Sequence, residues 1–127
     1  MRILKNKLFD QWAQKLRITD SILVEAVNDL EKRLYEANLG GHIYKKRIAV
    51  GSKGKSSGVR TIVAFKFNDK AFFIYGFAKN KKSNISKKEE EGLKALAKFY
   101  FSLNEKQINH SVKEGKLVEV KYEKINS

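Results

Sequence analysis

Apolar side chains recur at helical spacing in the first third of the chain. The first set is Leu8, Phe9, Trp12, Ala13 and Leu16, and the second is Ile22, Leu23, Ala26, Val27, Leu30 and Leu34. Intervals of three and four residues place such side chains on one face of an α-helix. Side-chain oxygens in Thr19–Ser21 can cap the second helix, and Gly40–Gly41 can end it in the left-handed conformation. After a short strand-like start, the pattern predicts a helical hairpin from about Leu8 to Leu39.

The middle of the chain changes to the composition and alternation of β-strands. Three stretches have this character: Ile43–Val50, Val59–Phe67 and Ala71–Ala78. In the first stretch Lys45 and Arg47 share one face, whereas Lys46 falls among apolar residues on the other. The second and third stretches are rich in β-branched and aromatic residues and flank a turn at 68–70. We predict three antiparallel strands, the first with one basic face.

Two helices and a last strand are predicted in the C-terminal third. Ser86 followed by Glu89 has the spacing of a capping box. Asn104 followed by Gln107 has the same spacing. The predicted elements are a helix over about Lys87–Ser102, a shorter helix that stops at Gly115, and a strand over Leu117–Tyr122.

The size of the chain limits its organisation. Its 127 residues suit one domain, and a 42% hydrophobic content is enough for a folded core. We therefore expect a single domain over residues 1–127. The element pattern indicates an α+β fold, in which the N-terminal helical hairpin packs on a twisted antiparallel sheet of three to five strands, with helices toward the C-terminus.

Composition excludes several classes of protein. The count of Cys is 0, which excludes disulfide scaffolds and thiolate metal sites, and with only 2 His a multi-histidine metal site is excluded as well. No apolar run approaches the roughly 20 residues that cross a bilayer, and the first residues lack the apolar stretch of a signal peptide. We expect a cytoplasmic protein without a membrane partner.

Positive charge is concentrated in the middle of the chain. The formal net charge is +13, and residues 41–83 alone hold 11 basic side chains and 1 acidic one. Phenylalanine and tyrosine alternate with these cations. Such a surface attracts polyanions, so nucleic acid is the expected partner.

Motifs for other chemistry are weak. Ala49–Ser56 matches a relaxed phosphate-loop pattern, but the sequence after it reads as a strand where such a loop needs a helix, so nucleotide binding is disfavoured. Asp69 is the single acidic residue of the basic segment, and His42 and His110 are isolated in the sequence. We expect neither a metal nor another cofactor.

A group of cations remains as the candidate site. Its members are Lys45 and Arg47 on one strand face, Lys53 and Lys55 in the glycine-rich loop, Arg60 at the start of the next strand, and Lys79 at the end of the third. If Val50 lies opposite Val59, Arg60 shares the face of the basic strand residues. Arg60 then stands opposite Ala49.

Such cations can act on RNA without a metal. The ribose 2′-hydroxyl attacks the adjacent phosphorus, and a cation stabilises the charge that develops on the phosphoryl oxygens. Arginine suits this role because its planar fork contacts two oxygens and stays protonated. A lysine can act as general base if neighbouring cations lower its pKa. The alternative use of the same residues is electrostatic binding of RNA or DNA without chemistry.

Five segments carry a resemblance that spans nearly the whole chain. They are FDQWAQKLRITD (Phe9–Asp20), LGGHIYKKR (Leu39–Arg47), GKSSGVRTIVAF (Gly54–Phe65), FFIYGFAKN (Phe72–Asn80) and GKLVEV (Gly115–Val120). In this order they resemble the RelE/HigB-type toxins of bacterial type II toxin–antitoxin systems. The resemblance implies a helical hairpin on a twisted antiparallel sheet, cleavage of messenger RNA in the ribosomal A site, and neutralisation by an antitoxin of helix-turn-helix type encoded beside the toxin.

The resemblance also implies where the active site lies. The family's basic positions correspond here to Lys45, Arg47, Arg60 and Lys79. Members often carry a tyrosine shortly after the last basic position, whereas residues 81–86 contain none. The general base therefore stays open.

The hypothesis that follows is a ribosome-dependent endoribonuclease without a cofactor. Arg60 stabilises the scissile phosphate, and the phosphate ligands or proton carriers are Lys53, Lys55 and Lys79. The residues that hold or dock RNA are Lys45, Lys46, Arg47, Lys81 and Lys82. Two other functions stay open: a nucleic-acid-binding module without catalysis, and a toxin relative with another target such as gyrase.

Overall fold

The computed structural model describes residues 1–50 and 58–121. The strands in these ranges are β1 (Arg2–Asn6), β2 (Ala37–Gly40), β3 (Ile43–Ile48), β4 (Val59–Phe65), β5 (Lys70–Ala78) and β6 (Leu117–Glu119). The helices are α1 (Lys7–Lys15), α2 (Asp20–Glu31), α3 (Lys87–Ser102) and α4 (Glu105–Lys113). The predicted α+β class is confirmed, with helices near the C-terminus as expected.

The N-terminal helical pair is shorter than the hydrophobic pattern predicts. The Asn6 side chain caps α1 by accepting from Phe9 N at 2.8 Å, and Thr19 caps α2. The predicted extension to Leu39 is wrong, because α2 closes with Arg33 in the left-handed region at φ 62°. Leu34 N donates to Asp29 O at 2.9 Å, which satisfies a carbonyl of the last turn.

Residues 37–40, predicted as the end of a helix, form the edge strand β2 instead. Gly40 and Gly41 have φ of 84° and 60°, so they supply left-handed residues to the turn between β2 and β3 and do not end a helix. The glycine signal was real, but it marks a hairpin.

The six strands form one mixed sheet in the order β2-β3-β4-β5-β1-β6. The prediction of an antiparallel sheet with three to five strands is therefore wrong in two respects. A sixth strand, β2, joins it, and β1 runs parallel to β5, with Leu4 beside Phe72. This pairing joins segments that are far apart in sequence, so no turn motif predicts it.

Two apolar cores lie on the opposite faces of the sheet. Phe9 of α1 and Leu23 of α2 pack with Phe73 on one face. Ala97 of α3 and Ile108 of α4 pack on the other face. Alternate residues of the central strands serve the two cores, which explains why every residue of β4 is buried.

Most element boundaries agree with the sequence pattern. Helix α3 has the predicted range, and Ser86 and Glu89 form the predicted capping box. Two central strands end two residues early, at Ile48 and Phe65. The last strand, predicted over Leu117–Tyr122, ends at Glu119, and residue 122 lies outside the described residues.

Candidate active site

Two arginines stand opposite each other in the centre of the sheet. Arg47 of β3 pairs with Arg60 of β4. The predicted register is wrong by two residues, because Ile48 and not Val50 lies opposite Val59. A shift of two preserves the face, so Arg60 still shares its face with Lys45 and Arg47 and lies closer to Arg47 than predicted.

A carboxylate that the sequence did not suggest lies among these cations. Arg60 Nε donates to Glu36 Oε1 at 2.9 Å and to Oε2 at 3.0 Å. Lys45 Nζ lies 3.8 Å from Glu36 Oε1. Glu36 directly precedes β2, in the stretch predicted as helix. The edge strand β2 places it beside Arg60, and the sequence pattern does not predict that strand.

Arg60 is held firmly in this position. The residue is only 8% exposed, although arginine is rarely buried unless it is paired. Because Glu36 is bound at Nε, the η nitrogens of the guanidinium are not used in these bonds and can contact two oxygens of one phosphate. The arrangement suits an arginine that stabilises charge at a fixed point.

The segment after β5 returns to the same face of the sheet. Asn84 Oδ1 accepts from Lys45 Nζ at 3.4 Å. Tyr75 lies on this face as well, because it pairs with Ile62, two residues from Arg60. Its hydroxyl accepts from Lys82 Nζ at 3.3 Å. A phenol therefore belongs to the surroundings of the site, although residues 81–86, which follow the last basic position, contain no tyrosine.

Lys82 is bound tightly to α3. Its ammonium forms an ion pair with Glu89, and this pair raises the pKa of Lys82. The same ion pair, together with hydrogen bonds from Ser86, lowers the pKa of Glu89 to about 2. Lys79 and Lys81, by contrast, are exposed. The positive charge of Lys82 is offset locally, so Lys79 and Lys81 are better placed to meet an external polyanion.

Lys46 does not join the group. It lies on the opposite face of β3, where its ammonium is 2.9 Å from Asp29 Oδ2 of α2. The alternation of the strand already placed it on that face. Lys53 and Lys55 lie outside the described residues, so their roles stay predictions.

Membrane-spanning helices and metal-binding clusters are both absent from the described residues. None of their helices is long and apolar enough to cross a bilayer. They also contain no group of three or more histidine, aspartate or glutamate side chains arranged to hold a metal ion.

Comparison with known proteins supports the resemblance. A family model described as the RelE toxin of the RelE/RelB toxin–antitoxin system matches residues 1–120. No match is found among curated proteins. The family match covers nearly all of the 127 residues, including every residue of the described cation group. The chain therefore belongs to the RelE family of toxins from toxin–antitoxin systems.

Proposed function

We propose that this toxin is an endoribonuclease that cleaves messenger RNA in the A site of the cytoplasmic ribosome. The observation that carries the proposal is Arg60, which is buried and oriented by Glu36 on the face that also holds Lys45 and Arg47. A merely electrostatic binding surface does not need a buried arginine with a fixed direction. Membership of the RelE family supports the same activity.

The reaction needs three contributions from the protein. The ribose 2′-oxygen bonds to the adjacent phosphorus while its proton passes to a base. The bond from phosphorus to the 5′-oxygen breaks, and that oxygen takes up a proton. Arg60 stabilises the charge that develops on the non-bridging oxygens, where one well-placed donor is worth about 100- to 1000-fold in rate.

The lysines supply the remaining functions in this proposal. Lys53, Lys55 and Lys79 act as phosphate ligands or carry the protons. Lys45 and Arg47 hold the RNA strand beside Arg60, while the exposed Lys81 contributes to docking. Lys46 and Lys82, which are ion-paired with Asp29 and Glu89, are the weaker members of the predicted RNA-binding set.

A cognate antitoxin is the second partner. The RelE family is defined by a toxin–antitoxin system, so we propose that an antitoxin encoded beside this toxin neutralises it. Co-expression with that protein should restore growth.

Controlled expression tests the proposal. Induction in bacterial cells should stop growth and protein synthesis, and new messenger RNA 5′ ends should map to the A-site codons of translating ribosomes. The upstream fragments should end in a 2′,3′-cyclic phosphate or a 3′-phosphate, because the 2′-oxygen is the nucleophile. Arg60→Ala, expressed at equal level, is the control.

Other outcomes separate the alternatives. Normal protein synthesis with soluble toxin would contradict the proposal. Blocked translation with intact messenger RNA would indicate binding without catalysis. Intact messenger RNA with loss of plasmid supercoiling would indicate gyrase as the target. Fragments that end in a 3′-hydroxyl would exclude attack by the 2′-oxygen.

A further inference from the structure

We infer that Glu36 is a positioning residue that holds Arg60 in the orientation needed for cleavage. The inference rests on the proposed function and adds a residue that has no counterpart among the predicted site residues. Both oxygens of the Glu36 carboxylate accept from Arg60 Nε, at 2.9 and 3.0 Å. Both bonds are made at Nε, so they do not use the η nitrogens of the guanidinium.

The backbone fixes Glu36 as firmly as its side chain fixes Arg60. Glu36 N donates to Lys45 O at 2.8 Å, which continues the ladder between β2 and β3 by one residue. The preceding Tyr35 packs its ring against Tyr44, with centroids 4.9 Å apart. The carboxylate therefore starts from a rigid point and reaches across β3 to β4.

Charge explains why such a residue is needed. Arg60 lies opposite Arg47 in the register of β3 and β4, and it lies near Lys45. Without a counter-charge these three cations would repel one another. A buried cation must also be paired to stay buried. Glu36 meets both needs, and because it binds at Nε it does not occupy the η nitrogens that would contact a phosphate.

A double-mutant cycle tests the inference. Cleavage rates are measured with purified toxin and ribosomes that carry a defined messenger RNA. Glu36→Ala should lower the cleavage rate at saturating ribosomes by about 100-fold, since misplacement of a catalytic group by about 1 Å costs that much. The ribosome concentration for half-maximal rate should change by less than about 2-fold, because a positioning defect affects the transition state more than binding. Glu36→Gln keeps one acceptor oxygen and should lose only about 10-fold.

The decisive comparison uses the Arg60→Ala background. If Glu36 acts through Arg60, adding Glu36→Ala to Arg60→Ala should change the rate by less than about 2-fold. A further loss there would show that Glu36 acts on its own, for example as a proton acceptor, and would overturn the inference. Glu91→Gln on α3 is the control, since Glu91 is exposed and loses the same charge.

Other results also decide the matter. A cleavage rate for Glu36→Ala equal to or above that of the wild type would overturn the inference and leave the proposed function intact. A wild-type toxin that cleaves nothing would overturn both. Circular dichroism checks the fold of each variant, and if Glu36→Ala does not fold, the cycle is run with Glu36→Gln, where a loss below about 2-fold would count against the inference.

Discussion

Gly76 shows how tightly a single position of this sheet is packed. It lies in β5 beneath the indole of Trp12 from α1, and a Cβ built on Gly76 would overlap the ring atoms. Protein interiors are packed as densely as organic crystals, so a large ring cannot move aside without disturbing its neighbours. The ring of Phe9, 5.4 Å from that of Trp12, is one such neighbour.

We therefore expect Gly76→Ala to lower the free energy of unfolding by about 1–3 kcal/mol, the usual cost of overpacking. Urea denaturation followed by tryptophan fluorescence measures this loss. Gly92→Ala is a matched control, because Gly92 lies in α3 with nothing within 4 Å of an added Cβ. That change should stabilise the protein by about 0.5–1 kcal/mol through helix propensity. Equal effects of the two substitutions would contradict the packing argument.

The residues of the site differ in how far the sequence could reveal them. Lys45, Arg47 and Arg60 were predicted together, because the period of a strand fixes their face even when the register is wrong by two. The same period separated Lys46 from them. Glu36 could not be predicted, because its partner Arg60 is 24 positions away and the contact depends on an unforeseen edge strand.

At the scale of elements, a local capping motif predicted its boundary correctly, whereas a helix end without a glycine and a non-local strand pairing were not predicted. Helix α3 agrees with its prediction because a capping box marks its start. The end of α2 was missed because Arg33, and not a glycine, takes the left-handed position. Strand β1 was expected, but its parallel pairing with β5 depends on packing between distant segments, which no local pattern encodes.

The ion pair in the first turn of α3 should make the stability of the fold depend on pH. Folding lowers the pKa of Glu89 from 4.5 to about 2, mainly through the ion pair with Lys82 and secondarily through the Ser86 backbone. The charged carboxylate thus stabilises the folded state above the unfolded pKa, and this stabilisation is lost as the pH falls from 4.5 toward 2.

Glu89→Gln removes the charge and keeps an oxygen for the cap. The wild type should be the more stable protein above about pH 5, and the difference between their urea midpoints should close as the pH falls through the window between the two pKa values. Glu91→Gln controls for the loss of one negative charge on the same helix. A difference that stays constant down to about pH 3 would show that the ion pair with Lys82 does not stabilise the fold.

At the scale of the whole molecule, ion pairs within the protein distinguish cations that have a structural partner from lysines that are exposed to solvent. The net charge is +13, yet several cations of the described residues are ion-paired. Arg2 binds Glu119, Lys46 binds Asp29, and the buried Lys5 lies 2.7 Å from Asp10. Each pair cancels one charge of each sign and leaves the net charge unchanged, so the attraction for a polyanion depends on where the remaining cations lie. Lys79 and Lys81 are exposed after β5.

This division predicts different defects for Arg60 and Lys81. Arg60 is 8% exposed and oriented by Glu36, so its contribution should fall on the transition state. Arg60→Ala should lower the cleavage rate at saturating ribosomes by about 100- to 1000-fold and change ribosome affinity little. Lys81 is exposed, so Lys81→Ala should weaken binding, keep the saturated rate, and reduce the salt dependence of binding by about one unit of slope.

The measurement is ribosome binding and single-turnover cleavage at several KCl concentrations, with magnesium held constant because ribosomes require it. Lys82→Ala is a poor test of docking, since its loss also breaks the ion pair with Glu89. Lys79→Ala is the informative neighbour: a saturated rate that falls as it does for Arg60→Ala would support its predicted catalytic role, whereas a changed salt slope alone would assign it to docking. If Arg60→Ala weakened binding while Lys81→Ala abolished cleavage at saturation, the separation of chemistry on the sheet from docking on the following segment would be wrong.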